Sequence, residues 1–175
     1  MTSACQALPI SPWVQKYTAR LATRSQVLDL ACGRGRHVRY LLDQGHVVTA
    51  LDRDLSGVAD LAEHTRARLI QADLEASPWP LTGQRFDAVV VCNYLHRPLM
   101  AHIIDTVAAG GLLIYSTFAA GNERFGRPRN PDFLLRANEL LAWADDDFIV
   151  YGYEHGPVEQ PRPAVRQSLC ALRIK

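Results

Sequence analysis

Short apolar runs alternate along the chain with stretches in which apolar residues recur every three or four positions. Val27–Leu30, Val47–Leu51, Leu69–Ala72, Phe86–Cys92 and Leu112–Ser116 are nearly all apolar. Lacking a period of two, they predict parallel strands buried on both faces. Between them, Val38, Leu41 and Leu42 form a helical stripe with Gly45 as its stop. Leu55, Val58 and Ala62 form a second stripe, with Asp54 as its N-cap. Met100, Ile103, Ile104 and Val107 form a third, ended by Gly110-Gly111. Alternating strands and helices predict a doubly wound α/β sheet. Ser11-Pro12 predicts an N-cap and first turn for a helix running to about Leu21. After a helix near Phe133–Trp143, two further strands fall at Phe148–Tyr153 and Leu169–Ile174. Only the proline-rich EHGPVEQPRPAVRQ joins them, so they predict an antiparallel hairpin that finishes a mostly parallel sheet.

At 175 residues the chain suits one domain with one real core. Its 48% hydrophobic and 21% charged composition is globular, and its net charge is only +1. Nucleic-acid binding through phosphate contacts wants a basic face and gains no support from that balance. No apolar run approaches the ~20 residues of a membrane span. The start, MTSACQALPISPW, lacks the basic and apolar regions of a signal peptide. Cys5, Cys32, Cys92 and Cys170 are far apart, and the histidines show no metal-ligand spacing. No metal site or disulfide framework is therefore expected, and a reducing cytoplasm is the simplest setting.

The stretch VLDLACGRGRHVRYLL, residues 27–42, concentrates the chemistry. An apolar run ends on Asp29-Leu30, Gly33 and Gly35 follow one residue apart, and a helix begins near Arg36. In an open α/β sheet, ligands bind beyond the carboxyl ends of the strands. Glycines let the backbone approach a ligand, and a helix start offers free N–H groups. A tight turn that needs glycine for geometry alone is the competing reading.

Two further acids bear on that choice. Asp52 ends the second run, where a carboxylate can accept both hydroxyls of a ribose. Asp73 follows the third, where it can accept an adenine amino group. Each alone also reads as a cap or turn residue. Acids at three consecutive strand ends suggest a nucleoside-containing ligand laid across the sheet edge. A nicotinamide cofactor would set its pyrophosphate on the helix start and ask for G-x-G-x-x-G. Val38 stands at the third glycine position, and Asp29 would repel a pyrophosphate. S-adenosylmethionine has no phosphate, and its ammonium and sulfonium suit an acid there.

Through VLDLACGRGRH, HVVTALDRD, LIQADLE, FDAVVVCNYLH and GGLLIYSTF, in order and spacing, the sequence resembles the class I S-adenosylmethionine-dependent methyltransferases. The likeness covers roughly residues 12–174. It is greatest to small bacterial methyltransferases related to the tellurite-resistance type, with similar segments NYLHRPL, GNERFGRPRNPDFLL and PRPAVRQSLCAL. The resemblance implies a seven-stranded sheet with its last strand inserted antiparallel. It implies S-adenosylmethionine as donor and S-adenosylhomocysteine as product. It also implies that Asp29 and the loop of Ala31, Cys32, Gly33 and Gly35 face the methionine end. On the same grounds Asp52 binds ribose, Arg53 flanks adenine, and Asp73 with Leu74 reads the adenine edge. The family's frequent first loop glycine is Ala31 here, tolerable if its φ is negative. Within the single domain, residues 1–22 are expected to form a helical cap and 25–118 the cofactor core. Residues 119–175 supply an acceptor-side loop, helix and hairpin.

The acceptor is expected beside Asn93-Tyr94-Leu95-His96, where Asn93 and Tyr94 orient the acceptor or the sulfonium end. His96 is either a general base or a cap for the helix marked by Pro98. A base matters only where the acceptor must lose a proton. This stretch is not the N/D-P-P-Y/F type that holds an amino nitrogen of a base, which counts against nucleic-acid amino methylation. Arg124 and Arg127 read either as solvated surface arginines or as a positive rim for an acidic small molecule. His37 reads as a helix cap, and Trp13 as a cofactor cover or a core aromatic. The expected function is in-line methyl transfer to a heteroatom of a small molecule, by a monomer or homodimer. A non-catalytic protein that binds the donor or its product, and an RNA or protein methyltransferase, are the alternatives.

Overall fold

Successive residues of a strand point to opposite faces. Over the central strands both faces are covered, whereas the edge strand through Leu69 and Ile70, expected to be buried on both faces, is only half-buried. The structure, a computed structural model, describes residues 9–175, so Cys5 lies outside it. Its seven strands are β1 (Gln26–Leu30), β2 (Val47–Asp52), β3 (Ala67–Gln71), β4 (Phe86–Cys92), β5 (Val107–Phe118), β6 (Phe148–Val158) and β7 (Ala164–Arg173). They form one sheet in the order β3-β2-β1-β4-β5-β7-β6. The first five are parallel, and β7 inserts antiparallel between β5 and β6. The doubly wound sheet with an antiparallel end is as the pattern predicts.

Leu28, Leu30, Val89, Val91, Leu113 and Tyr115 pack on one face, under α3 (Met100–Thr106) and α4 (Glu139–Trp143). Val27, Val48, Ala50, Ala88, Val90 and Ile114 pack on the other, under α1 (Pro12–Thr18) and α2 (Arg36–Asp43). This two-sided burial explains why the runs show no alternation. Each fully buried Leu or Val contributes roughly 1.5–3 kcal/mol relative to an exposed one. Asp29 falls on the α2 face, in register with Ala50 on one side and Val90 on the other. A carboxylate there interrupts an otherwise apolar layer.

The chain winds outward from β1 through β3 and then returns to β4 and β5, so the strand order reverses between β1 and β4. The loops after those two strands diverge and leave a crevice at the carboxyl edge.

Four elements differ from the sequence pattern. After β2 the chain makes only a 3-10 turn, Ser56–Leu61. Gly57 lies so close to the glycine loop that a Cβ there would sit 2.7 Å from Arg34 Cα. The N-cap position of this turn is Leu55 rather than the expected Asp54, whose Oδ1 accepts Ser56 N–H at 2.9 Å from one residue earlier. Between Phe133 and Trp143 only Glu139–Trp143 is α-helical, preceded by the 3-10 turn Pro131–Phe133. Arg97 donates to the carbonyls of Asp132 and Leu134, the acceptors that a helix beginning there would use. α1 ends at Thr18 because Arg20 and Leu21 bond three residues back rather than four. α3 ends at Thr106 and runs directly into β5, and Gly110-Gly111 lies where the β4–β5 register shifts.

Candidate functional site

The loop between β1 and α2 is built by backbone bonds and one carboxylate. Cys32 N–H donates to Leu51 O at 3.1 Å and Gly35 N–H to Cys32 O at 3.0 Å. Asp52 accepts Gly33 N–H on Oδ2 at 2.8 Å and Asp54 N–H on Oδ1 at 3.0 Å. The acid at the tip of β2 therefore orients the loop after β1. Arg39, one turn into α2, donates to Arg34 O at 2.8 Å, Gly57 O at 3.1 Å and Asp60 Oδ1 at 2.5 Å. It stitches the loop to the Ser56–Leu61 turn.

Gly33 and Gly35 both have positive φ, but their surroundings differ. A Cβ on Gly35 would meet Val58 Cγ1 at 2.2 Å, whereas one on Gly33 would meet nothing within 4 Å. Gly35 is needed for packing, and Gly33 faces open space. Ala31 has φ 55, contrary to the negative φ expected of it. Left-handed backbone costs an L-residue with a Cβ roughly 1–2 kcal/mol. The Cys32 N–H bond to β2 holds the turn in that geometry.

Above this loop lies a cleft of about 970 Å³, lined by Ala31, Cys32, Gly33, Arg53, Asp52 and Asn93 with Arg36 beside them. It adjoins a second cleft of about 430 Å³, to which Ala31, Asp52, Arg53, Asp73, Leu74 and Tyr94 contribute. Of the residues expected to hold the donor, Ala31, Cys32, Gly33, Asp52, Arg53, Asp73, Leu74 and Asn93 line these two clefts, which share Ala31, Asp52 and Arg53. Asp29 and Gly35 line neither, the first buried beneath the loop and the second packed against Val58. Asp73 Oδ1 accepts Glu75 N–H at 3.0 Å, which fixes the carboxylate at the mouth of the second cleft. Burial raises the Cys32 pKa to about 12, so its side chain stays a thiol.

Asp29 is 1% exposed, and its Oδ2 has no hydrogen-bond partner. Burial lifts its pKa from 3.8 to about 7, Arg36 opposes that shift, and Asp52 adds to it. A buried carboxylate without a partner is unfavourable until a cation or donor reaches it. Together with the open face of Gly33 and the acids at the tips of β2 and β3, this fits a cationic adenosine compound.

A third cavity, about 160 Å³, opens beside the first, and Arg36 and Asn93 line both. Its other walls include Ile10, Phe118, Val158, Arg162 and Arg166. No carboxylate lines it among the described residues. Arg166 donates to Ser116 O at 3.0 Å and Asn93 Oδ1 at 2.7 Å, with its guanidinium 4.7 Å from the Phe118 ring centroid. Arg36 donates to Pro9 O at 2.7 Å and to Cys92 Sγ at 3.3 Å, tying the N-terminal segment to the end of β4.

The family model for a methyltransferase domain matches residues 27–111, which span β1 to the start of β5. The chain belongs to the class I S-adenosylmethionine-dependent methyltransferases. A malonyl-[acyl-carrier protein] O-methyltransferase of Pseudescherichia vulneris is 36% identical over 135 residues, covering 71% of this chain and 53% of that protein. The chain spans about half the length of the curated relatives it matches. TehB from Haemophilus influenzae superposes with a TM-score of 0.77 at 20% identity, over 94% of this chain and 62% of that one. The Burkholderia thailandensis 1,6-didemethyltoxoflavin-N1-methyltransferase, solved with its substrate and S-adenosylhomocysteine, gives 0.69 at 22% identity, over 94% and 77%. These structures share this chain's fold.

Several expected site residues stand elsewhere. Trp13 is 7% exposed and donates its indole N–H to Leu169 O at 3.1 Å, so it is a core aromatic and not a cover. His96 lines none of the three clefts; it precedes the 3-10 turn Arg97–Leu99 at the N-cap position, with no side-chain capping bond. Arg124 and Arg127 are exposed and line none of them either. The cations beside the cavity are Arg36, Arg162 and Arg166 instead. Tyr94 lies with the acids of the second cleft rather than in the third cavity, and its buried hydroxyl has no partner. Burial keeps that phenol protonated, with Glu75 and Asp73 adding to the effect. His37 is no cap. Burial holds its pKa at about 3, and its neutral Nε2 accepts Ser11 N–H at 3.3 Å.

Four residues of the site escape a sequence reading: Arg36, Arg162, Arg166 and Phe133, the last of which lines the second cleft. The only signal for Arg166 is a charge set just before an apolar run, which reads as an ordinary strand entrance. Phe133 carries a weaker signal still, a single aromatic in a polar loop.

Proposed function

We propose that this domain binds S-adenosylmethionine across the two joined clefts and methylates a small anionic acceptor in the adjoining cavity. The observation that carries the reading is the orphaned Oδ2 of buried Asp29, at the head of a run of acids on β1, β2 and the turn after β3. The methionine end lies against Asp29 and the Ala31–Gly35 loop. Asp52 takes the ribose hydroxyls with the lone pairs its backbone bonds leave free. Asp73, Leu74 and Arg53 frame the adenine.

When bound, S-adenosylmethionine supplies a sulfonium methyl that passes to an acceptor lone pair while the carbon–sulfur electron pair returns to sulfur. This chain's residues bring the two together. Asn93 stands where the first cleft and the third cavity meet, and Arg166 holds its Oδ1. Arg166 and Arg162 attract a carboxylate by their charge. Ile10, Phe118 and Val158 give that cavity apolar walls, which favour reaction by excluding water. In-line transfer asks for an approach of about 3–3.5 Å. A carboxylate already carries its lone pair, so no base is needed and His96 is assigned none of the chemistry.

An acceptor carried on a protein is the second reading. The curated relatives are named for O-methylation of a malonyl group on acyl-carrier protein. Release of S-adenosylhomocysteine, followed by mass spectrometry across panels of free carboxylic acids, amines and thiols, tests the proposal. Turnover confined to acids is expected. Turnover of amines or thiols alone contradicts an anionic acceptor, and turnover only of carrier-bound acids favours the second reading.

A further inference from the structure

We infer that Phe133 forms the outer wall of the adenine pocket, and that Arg97 and Glu139 are positioning residues that hold it there. The inference rests on the reading that the second cleft takes the adenine of the donor. Phe133 is 46% exposed and belongs to neither of the two large cores. Its next two neighbours, Leu134 and Leu135, are buried, at 5% and 0% exposure. The chain therefore anchors itself through those leucines while one large ring remains over the cleft that Arg53, Asp73 and Tyr94 also line. An aromatic at the edge of a nucleobase pocket gains area and stacking when the base arrives.

The backbone around Phe133 is fixed more firmly than an exposed loop requires. Asn130 accepts Asp132 N–H on Oδ1 at 3.0 Å, and Phe133 N–H donates to Asn130 O at 3.0 Å. Arg97 donates Nη1 to Asp132 O and Nη2 to Leu134 O, each at 2.8 Å. Those two carbonyls flank Phe133. The same guanidinium is locked by Glu139, with Nε at 2.6 Å from Oε1 and Nη2 at 2.9 Å from Oε2. Burial would raise the Glu139 pKa, but the bonds from Arg97 and from Arg136 N–H win and hold it below the usual range. A partly buried ion pair adds little net stability on its own. Its effect here is geometric: it spans from the segment after β4, which carries Asn93 and Tyr94, to the backbone on both sides of Phe133. Lysine at position 97 keeps the charge but cannot reach two carbonyls and a carboxylate in one plane.

Calorimetric titration of the full chain with S-adenosylhomocysteine tests this. Phe133→Ala is expected to weaken binding about tenfold, the loss of one stacked base, while Phe133→Trp retains it. Arg97→Lys and Glu139→Gln are expected to weaken binding in the presence of Phe133 and to add nothing in a Phe133→Ala background. Thermal melting of each variant establishes that it is folded. Phe133→Ala with wild-type affinity overturns the inference, as does an Arg97→Lys loss of equal size with and without Phe133. Wild-type protein that does not bind at all overturns the donor assignment, and this inference with it.

Discussion

The Arg166 guanidinium donates a 2.7 Å hydrogen bond to Asn93 Oδ1, joining β7 to the corner where the first cleft and the third cavity meet. Asn93 itself has φ 60, a conformation that asparagine tolerates better than most residues. The last strand thus supplies both the cation that the proposed anionic acceptor would meet and the bond that fixes the residue between the two cavities.

Arg166→Lys keeps a charge but loses the fork. It is expected to raise KM for an acidic acceptor about tenfold while changing KM for the donor much less. Arg124 and Arg127 are exposed and lie outside the cavity, so their double replacement by alanine should leave both KM values within about twofold. Initial rates of S-adenosylhomocysteine release at varied acceptor and donor measure both. Equal effects from the two replacements contradict the placement of the acceptor.

Asp29 costs stability in a way that depends on pH. Its folded pKa of about 7 lies above the ordinary 3.8, so the fold holds an extra proton between those values. Stability therefore falls as pH rises through that window, by up to about 4 kcal/mol for a fully buried group. Asp29→Asn removes the penalty. The ligand-free variant is expected to melt higher than wild type at pH 8, with a smaller gain at pH 5. An equal gain at both values in thermal melts contradicts a buried, titrating carboxylate.

The two loop glycines separate folding from binding. Gly35→Ala forces a Cβ to 2.2 Å from Val58 Cγ1 at φ 72, and is expected to cost about 3 kcal/mol or more of stability. Gly33→Ala meets open space and pays only for its positive φ, about 1 kcal/mol. Its new methyl occupies the donor cleft, so it should lose S-adenosylhomocysteine affinity while remaining folded. Denaturant melts and titrations of both variants check this. A Gly33→Ala protein that binds as wild type contradicts the position of the ligand.

Ala31→Gly removes a Cβ from a left-handed position and is expected to stabilise the ligand-free fold by about 1 kcal/mol, net of the entropy glycine adds to the unfolded chain. A lower denaturant midpoint would show that the Ala31 methyl contributes more by packing than it costs in strain.

The sheet was legible because its central strands are buried on both faces, so their apolar runs stand out without any tertiary information. The acids at the strand tips were legible for the same reason: Asp29 and Asp52 interrupt or end such runs. What depends on contacts between distant segments was not. Arg166 reaches Asn93 across 73 positions of sequence, and Arg97 reaches Asp132 and Glu139 across 35 and 42. No local spacing announces those pairs. The helices expected after Asp54 and near Phe133 failed on tertiary grounds as well, one from the close approach of Gly57 to the loop, the other from Arg97 taking the carbonyls. Trp13 and His96 drew attention as residue types, but burial and position give one a packing role and leave the other outside the clefts.

Calorimetry of S-adenosylmethionine binding at pH 6 and pH 8, in buffers of different ionisation enthalpy and with Asp29→Asn alongside, tests the donor site most directly. The expected result is tighter binding to the wild type at the higher pH, proton release on binding at the lower pH, and the loss of both in Asp29→Asn. Wild-type protein, folded and stripped of carried-over ligand, that gives no binding heat at either pH would contradict the account.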